Sequence, residues 1–193
     1  MFNLKTKEYL LLMTIIINIV GAPCSGKSTL ACELFVALKK KHKSSEYVSE
    51  YAKELVWAGD FDTLNNQYYV TDKQNKMITA VDGKVDYIVC DSPLVVGMFY
   101  NEYNKNNVSN VEKTNEFIKS RIRDTLDRSV YIFIKRNKNI EYSNIGRMHN
   151  EEESALIEFQ MKQLLLNNDI PFIEVFTGIS IDYVLSSIIK SLS

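Results

Sequence analysis

A short glycine-containing stretch near the start of the chain carries residues suited to holding phosphate. It reads Gly21-Ala22-Pro23-Cys24-Ser25-Gly26-Lys27-Ser28-Thr29 and fits the pattern G-x-x-x-x-G-K-[ST]. Its glycines permit a tight turn whose backbone N–H groups point at an anion. Lys27 could reach the terminal phosphates, and the Ser28 hydroxyl could ligate Mg²⁺. The stretch therefore predicts a phosphate-binding loop with an adjacent magnesium ligand.

Two acidic residues follow predicted strands. Asp91 ends the apolar run 85–90 in a Walker B-like pattern, where it could meet Mg²⁺ or its water shell, or instead be the base that activates the acceptor. Glu50 follows a short strand predicted over 46–49 and could accept a proton from a substrate hydroxyl or bind it directly. Because the carboxyl ends of parallel strands line one crevice, both carboxylates are candidates for the site.

A polar loop over 140–150 follows an apolar strand predicted over 130–134 and has the character of a lid. A closing loop can carry arginine onto transferring phosphates while excluding water. Arg147 is the first candidate for this role and Arg136 the second, since guanidinium is permanently charged and forks onto phosphate oxygens. His149 has no matching nucleophile or metal partners in the sequence, which predicts a place on the lid surface.

The elements that must position these residues follow from hydrophobic periodicity. The β-branched apolar run 14–20 predicts a buried strand that ends where the loop begins, and leucines at helical spacing predict a helix over 27–40. A helix there would point its positive end at the phosphates. The segment 61–81 also has helical character and is rich in polar and aromatic groups that could wall an acceptor pocket. Arg128 is predicted to be a surface charge.

Five predicted strands alternate with helices, which favours a parallel three-layer α/β/α domain. The chain has 193 residues, enough for one domain, and its net charge of −1 gives no bulk attraction to nucleic acid or membrane. The apolar run 10–20 is too short to span a bilayer. Three cysteines without a metal-ligand pattern indicate a reduced, cytoplasmic setting. Met13 is an alternative start to Met1, so we expect an N-terminal extension over 1–12 and the domain over 13–193.

Taken together, these motifs resemble the P-loop nucleoside and nucleotide kinase superfamily. Within it, the chain is most similar to the AAA-type ATPase and kinase group that includes the ribosylnicotinamide kinase domain of NAD-biosynthesis proteins. The resemblance covers about residues 14–190. It rests on GAPCSGKST at 21–29, SEYAKEL at 49–55, Gln74 in a following helix, YIVCDSPL at 87–94 and YSNIGR at 142–147.

The resemblance implies a P-loop kinase fold with a central parallel five-stranded sheet and a short lid. It further implies ATP with Mg²⁺ as donor and a hydroxyl-bearing acceptor that is nucleoside- or nucleotide-like, such as a ribosylnicotinamide-like compound or a deoxynucleotide. The implied roles are catalysis by Lys27, Glu50, Asp91 and Arg147, nucleotide binding by 21–29 and Arg136, acceptor binding by Glu50, Tyr51, Gln74 and Asp91, and metal binding by Ser28 and Asp91.

Two other functions stay open at this stage. One is a kinase for a hydroxymethylated base or another hydroxyl in DNA, since small viral kinases share the scaffold and the Lys/Asn-rich composition suits an AT-rich genome, such as that of a phage. It predicts a basic groove built from Lys39–Lys43, Arg121, Arg123 and Lys135–Lys138. The other is a P-loop ATPase switch without a small-molecule acceptor. The oligomeric state is open as well, with a homodimer as one option.

Overall fold

The structure is a computed structural model that describes residues 13–137, 139, 141–143, 145 and 148–192. Its strands are β1 (Ile15–Val20), β2 (Ser45–Val48), β3 (Tyr87–Cys90), β4 (Ser129–Lys135) and β5 (Phe172–Phe176). Its helices are α1 (Lys27–Lys40), α2 (Tyr51–Ala58), α3 (Phe61–Leu64), α4 (Gln67–Val81), α5 (Leu94–Tyr103), α6 (Val111–Thr125), α7 (Glu151–Asn167) and α8 (Ile181–Ser191), with a 3₁₀ turn at Leu126–Arg128. The predicted extension over 1–12 lies outside the described residues.

The strands form one parallel sheet in the order β2-β3-β1-β4-β5. The first strand is central: Ile17 pairs with Val89 of β3 on one side and with Val130 of β4 on the other. Because all five strands run the same way, the segments that follow β1, β2 and β3 meet at one edge. The predicted three-layer α/β/α fold is confirmed, and this edge is where the candidate residues lie.

Alternation along β1 divides the core between the two faces of the sheet. Ile17 and Ile19 are buried on the face covered by α1 and α8, together with Leu34 of α1. Val20 belongs to the opposite face, where Phe133 of β4 packs with residues of α5, α6 and α7. Successive side chains of a strand point to opposite faces of the sheet, so β1 contributes buried residues to both faces. Among the described residues, no helix is long and apolar enough to cross a membrane.

The predicted single helix over 61–81 is wrong, because the segment forms two helices, α3 and α4. Asn66 separates them and caps α4, since its side-chain oxygen accepts a hydrogen bond from the Tyr69 backbone N–H at 3.1 Å. Asn65 accepts a bond from the Asn104 side chain at 3.1 Å. Asparagine side chains compete with the helical backbone bonds, which explains the break. The turn between α3 and α4 therefore contacts the loop after α5.

The prediction of a surface position for Arg128 is also wrong. Its side chain makes two 2.7 Å hydrogen bonds to the Asp82 carboxylate and one of 3.0 Å to the Thr14 carbonyl, and the residue is only 8% exposed. A bidentate arginine–carboxylate pair is a strong charge-assisted contact. It ties the end of α4 to the amino ends of β1 and β4, away from the edge that carries the site.

Candidate active site

The backbone of the loop between β1 and α1 explains both glycines of the motif. Gly26 has φ +90° and forms the N-cap of α1, a conformation that residues with a side chain rarely adopt. A Cβ atom on Gly21 would lie 2.6 Å from the Ile134 carbonyl oxygen and 2.6 Å from Ser25 Oγ. The first glycine therefore permits close backbone approach, and the second permits the turn into the helix.

Side chains from distant elements hold this loop in shape. Ser154 at the start of α7 donates a 2.6 Å hydrogen bond to the Pro23 carbonyl, and Thr177 after β5 donates one of 2.7 Å to the Ser25 carbonyl. Cys24 has φ +60°, which is unusual for a residue other than glycine. These contacts stabilise a turn that the local sequence alone would not fix.

The side chains that end the motif meet the acidic residue after β3. Ser28 Oγ donates a 2.6 Å hydrogen bond to Asp91 Oδ2, and the Tyr47 hydroxyl donates one of 3.0 Å to the same oxygen. Lys27 Nζ donates to the Ala22 carbonyl at 3.0 Å, and Thr29 lines the cleft beside the loop. The predicted donor-side residues and Asp91 are thus brought together.

Ser28 and Asp91 fit a magnesium site. Asp91 is only 2% exposed, and within the described part of the chain its Oδ1 atom has no hydrogen-bond partner. A buried carboxylate oxygen without a donor is costly unless another group satisfies it. Hydroxyl and carboxylate oxygens are ligands that Mg²⁺ prefers. Among the described residues, no group of three or more His, Cys, Asp or Glu side chains could hold a metal ion.

The second carboxylate, Glu50, is the N-cap of α2 and lines the same cleft as the loop. Gln74 of α4 holds the backbone on both sides of it: its Oε1 accepts from Tyr51 N, and its Nε2 donates to the Ser49 carbonyl, each at 3.0 Å. The Tyr51 ring lies 6.4 Å from the ring of Tyr69 and packs against the small apolar cluster around Leu55. Gln74 and Tyr51 therefore support Glu50 through the backbone and through packing.

A single cleft of about 1560 Å³ joins the loop to Glu50. One arm is lined by the loop and by the start of α1. We call a second part of the lining, contributed by α2 to α5 and the turns next to them, the second arm. It combines apolar with polar side chains, namely Val56, Leu64, Asn65, Gln67, Val70, Thr71, Val96, Phe99, Glu102 and Lys105. Its volume exceeds the 300–1,000 Å³ or so usual for one small-molecule ligand. The cleft therefore has room for two ligands side by side.

An aromatic cluster that the sequence does not predict lies beside Glu50. Tyr100 and His149 stack with ring centroids 6.1 Å apart and planes at 16°, and Tyr103 meets His149 edge-on at 5.7 Å. Burial raises the pKa of Tyr100 above its ordinary value, and the nearby Glu50 carboxylate makes a smaller contribution in the same direction. The signal available in the sequence was the spacing of the two tyrosines, three residues apart on one helix face.

The predicted position of His149 on the lid surface is wrong, because its side chain is 17% exposed within this cluster. Burial lowers the pKa of His149, and the Glu153 carboxylate opposes that shift. The Tyr142 hydroxyl donates to the His149 carbonyl at 2.8 Å, and Arg136 lies over the Tyr142 ring at 5.5 Å. The base of the predicted lid is therefore tied to the helix that walls the cleft.

Arg136 also forms an ion pair with Glu151 at the start of α7, and its side chain is 12% exposed. It does not line the cleft in this structure. Arg147, the first candidate for the lid cation, lies outside the described residues.

Comparison with known proteins gives a family and a fold. A family model described as AAA domain matches residues 16–180. No curated protein sequence matches the chain significantly. The YorR protein from Bacillus subtilis, solved in complex with phosphorylated GDP, aligns at a TM-score of 0.55 and 19% identity over 92% of this chain and 95% of that chain. Deoxyadenosine kinase from M. mycoides with bound dCTP gives a TM-score of 0.56 and 18% identity over 92% and 98%. The likeness to these two proteins shows a shared fold.

Proposed function

Since the chain belongs to the AAA domain family and has a P-loop kinase fold, we propose that it is an ATP-dependent kinase for an alcohol group. The acceptor in this proposal is nucleoside- or nucleotide-like, for example a ribosylnicotinamide-like compound or a deoxynucleotide. The observation that carries the proposal is the cleft that joins the phosphate-binding loop to Glu50, because phosphoryl transfer needs donor and acceptor side by side.

The donor side of the proposal rests on the loop between β1 and α1. Backbone N–H groups at the start of α1 would hold the phosphates of ATP, and Lys27 would neutralise charge on the transferred group. Ser28 and Asp91 would hold Mg²⁺, which would supply positive charge against that of the phosphates. Arg147 is proposed as the lid cation that completes this set. Such transfer depends mainly on alignment and electrostatics, which a rigid loop supplies.

The acceptor side rests on Glu50. Glu50 lines the cleft at an accessible position, and Asp91 is only 2% exposed beside Ser28 and Tyr47. We therefore assign Glu50 the task of orienting the acceptor hydroxyl and accepting its proton. Mixed apolar and amide groups in the same arm suit a planar base with polar edges. Both structural neighbours were solved with nucleotides, which supports this class of ligand.

A DNA acceptor is less well supported. Three lysines of the groove that it requires lie within 4 Å of acidic side chains, which offsets their charge: Lys39 with Glu46 at 3.7 Å, Lys41 with Asp182 at 3.9 Å and Lys135 with Glu174 at 3.6 Å. A surface that binds the phosphates of DNA depends on an excess of cations.

An ATPase switch without an acceptor gives no role to the second arm of the cleft. A cytoplasmic setting and a homodimer stay predictions.

The test is a transfer assay with γ-labelled ATP and four acceptor classes: nucleosides, nicotinamide riboside, deoxynucleotides and duplex or single-stranded DNA. We expect label on one of the small acceptors, and no transfer by the Lys27→Ala variant with its fold intact by circular dichroism. Label on DNA alone would support the DNA kinase. Hydrolysis of ATP without any labelled acceptor would contradict the proposal and favour the switch.

A further inference from the structure

Tyr47 is a strand residue whose hydroxyl reaches the candidate metal site. It lies in β2 opposite Val89 of β3, and its ring packs against Phe35 of α1 with centroids 6.4 Å apart. From there its hydroxyl lies 3.0 Å from Asp91 Oδ2, at the end of the neighbouring strand. None of the motifs in the sequence includes this residue.

The two oxygens of Asp91 have different surroundings. Oδ2 accepts two hydrogen bonds, from Ser28 at 2.6 Å and from Tyr47 at 3.0 Å, while Oδ1 is buried and, within the part of the chain that the structure describes, has no partner. Two donors that converge on one oxygen fix the rotation of a carboxylate. The fixed rotation keeps Oδ1 available to another group.

We propose that Tyr47 is a positioning residue for the metal: it anchors Oδ2 of Asp91 so that Oδ1 stays available to Mg²⁺ or to a water of its shell. The inference rests on the proposed function, because it requires a magnesium nucleotide at this edge of the sheet. Ser28 also donates to Oδ2, but its hydroxyl is itself a proposed metal ligand, so Tyr47 is the donor to this oxygen that we do not propose as a metal ligand. Partners that orient a metal ligand typically change metal affinity by about 10–100-fold when removed.

The test compares Tyr47→Phe with Tyr87→Phe in the full-length protein. Tyr87 is a suitable control because it packs against the same face of the core as Tyr47. It lies at the amino end of β3, whereas Asp91 follows the carboxyl end of that strand. Mn²⁺ serves as a paramagnetic substitute for Mg²⁺. In a titration with ADP present, electron paramagnetic resonance measures the signal of the unbound Mn²⁺. ADP binding without metal is measured by calorimetry.

We expect Tyr47→Phe to weaken Mn²⁺ binding about tenfold or more while metal-free ADP affinity changes less than about twofold. Tyr87→Phe should match the wild type in both measurements. Equal Mn²⁺ affinity in the two variants would overturn the inference, even if Tyr47→Phe unfolds at a lower temperature, because the hydroxyl would then be merely structural. A wild-type protein that binds no Mn²⁺ with ADP would overturn the proposed function together with the inference.

Discussion

The side-chain oxygen of Gln74 accepts a hydrogen bond from the backbone nitrogen of Tyr51 at 3.0 Å. The amide nitrogen of the same side chain donates to the Ser49 carbonyl at 3.0 Å, so the two bonds flank Glu50. Gln74 is 6% exposed and lies on α4, more than twenty residues further along the chain. A contact from another helix therefore fixes the segment that carries the cleft carboxylate. If Glu50 accepts the proton as proposed, this arrangement predicts that Gln74 affects the reaction through Glu50.

We predict that Gln74→Leu lowers kcat about 10–100-fold and leaves KM for ATP nearly unchanged. Leucine keeps most of the volume but removes both bonds, so Glu50 loses its orientation while the loop keeps its own contacts. Steady-state kinetics with the acceptor found by the transfer assay measure both constants.

A double-mutant cycle with Glu50→Gln shows whether the two residues act as one unit. If Gln74 works through Glu50, the double variant is scarcely slower than Glu50→Gln alone. Additive losses, together with a raised KM for the acceptor, would instead mean that Gln74 contacts the acceptor itself, as the family resemblance implies.

Much of the fold could be predicted from the sequence because its signals are local. The apolar strands, the loop at 21–29 and the helix that starts at Lys27 depend on neighbouring residues and on periodicity. The meeting of Ser28 with Asp91 could also be predicted, since parallel strands bring their carboxyl ends to one edge. Local sequence signals therefore predict that Ser28 and Asp91 lie together, and the structure places their side chains in contact.

The contacts that were missed join residues far apart in the chain. In the sequence, nothing distinguishes Tyr47 from other tyrosines in strands. Its hydroxyl reaches Asp91 because of the register of β2 against β3. His149 could be placed only by the packing of the segment after β4 on Tyr100. The break at Asn66 depends on a side-chain cap that competes with helix propensity by a small margin.

Gly97 offers a test of packing in the wall of the cleft, which it lines together with Thr71. A Cβ atom there would lie 2.7 Å from Thr71 Oγ1, and Thr71 is only 2% exposed. We predict that Gly97→Ala lowers the free energy of unfolding by about 1 kcal/mol, since the overpacking cost exceeds the gain in helix propensity. Urea denaturation measures the change. The double variant Gly97→Ala with Thr71→Ala should be more stable than Gly97→Ala alone, and equal midpoints for the two would contradict this packing.

His149 gives a prediction about pH. Burial against Tyr100 lowers its pKa in the folded state, with partial opposition from Glu153, whereas the unfolded chain keeps a value of about 6.5. The unfolded state therefore binds the proton more readily, and the free energy of unfolding should decrease as the pH falls below that value. The variant His149→Phe keeps an aromatic ring in the stack but cannot take up a proton.

We expect His149→Phe to lose less stability than the wild type between about pH 7 and pH 5 when both are unfolded in urea. The chain has two histidines, and His42→Gln removes the other one at an exposed position, so it is the matched control. If wild type and His149→Phe decline in parallel over this range, packing against Tyr100 does not lower the pKa of His149 in solution. The contact of the segment before α7 with α5, which lines the cleft beside Glu50, would then lack support.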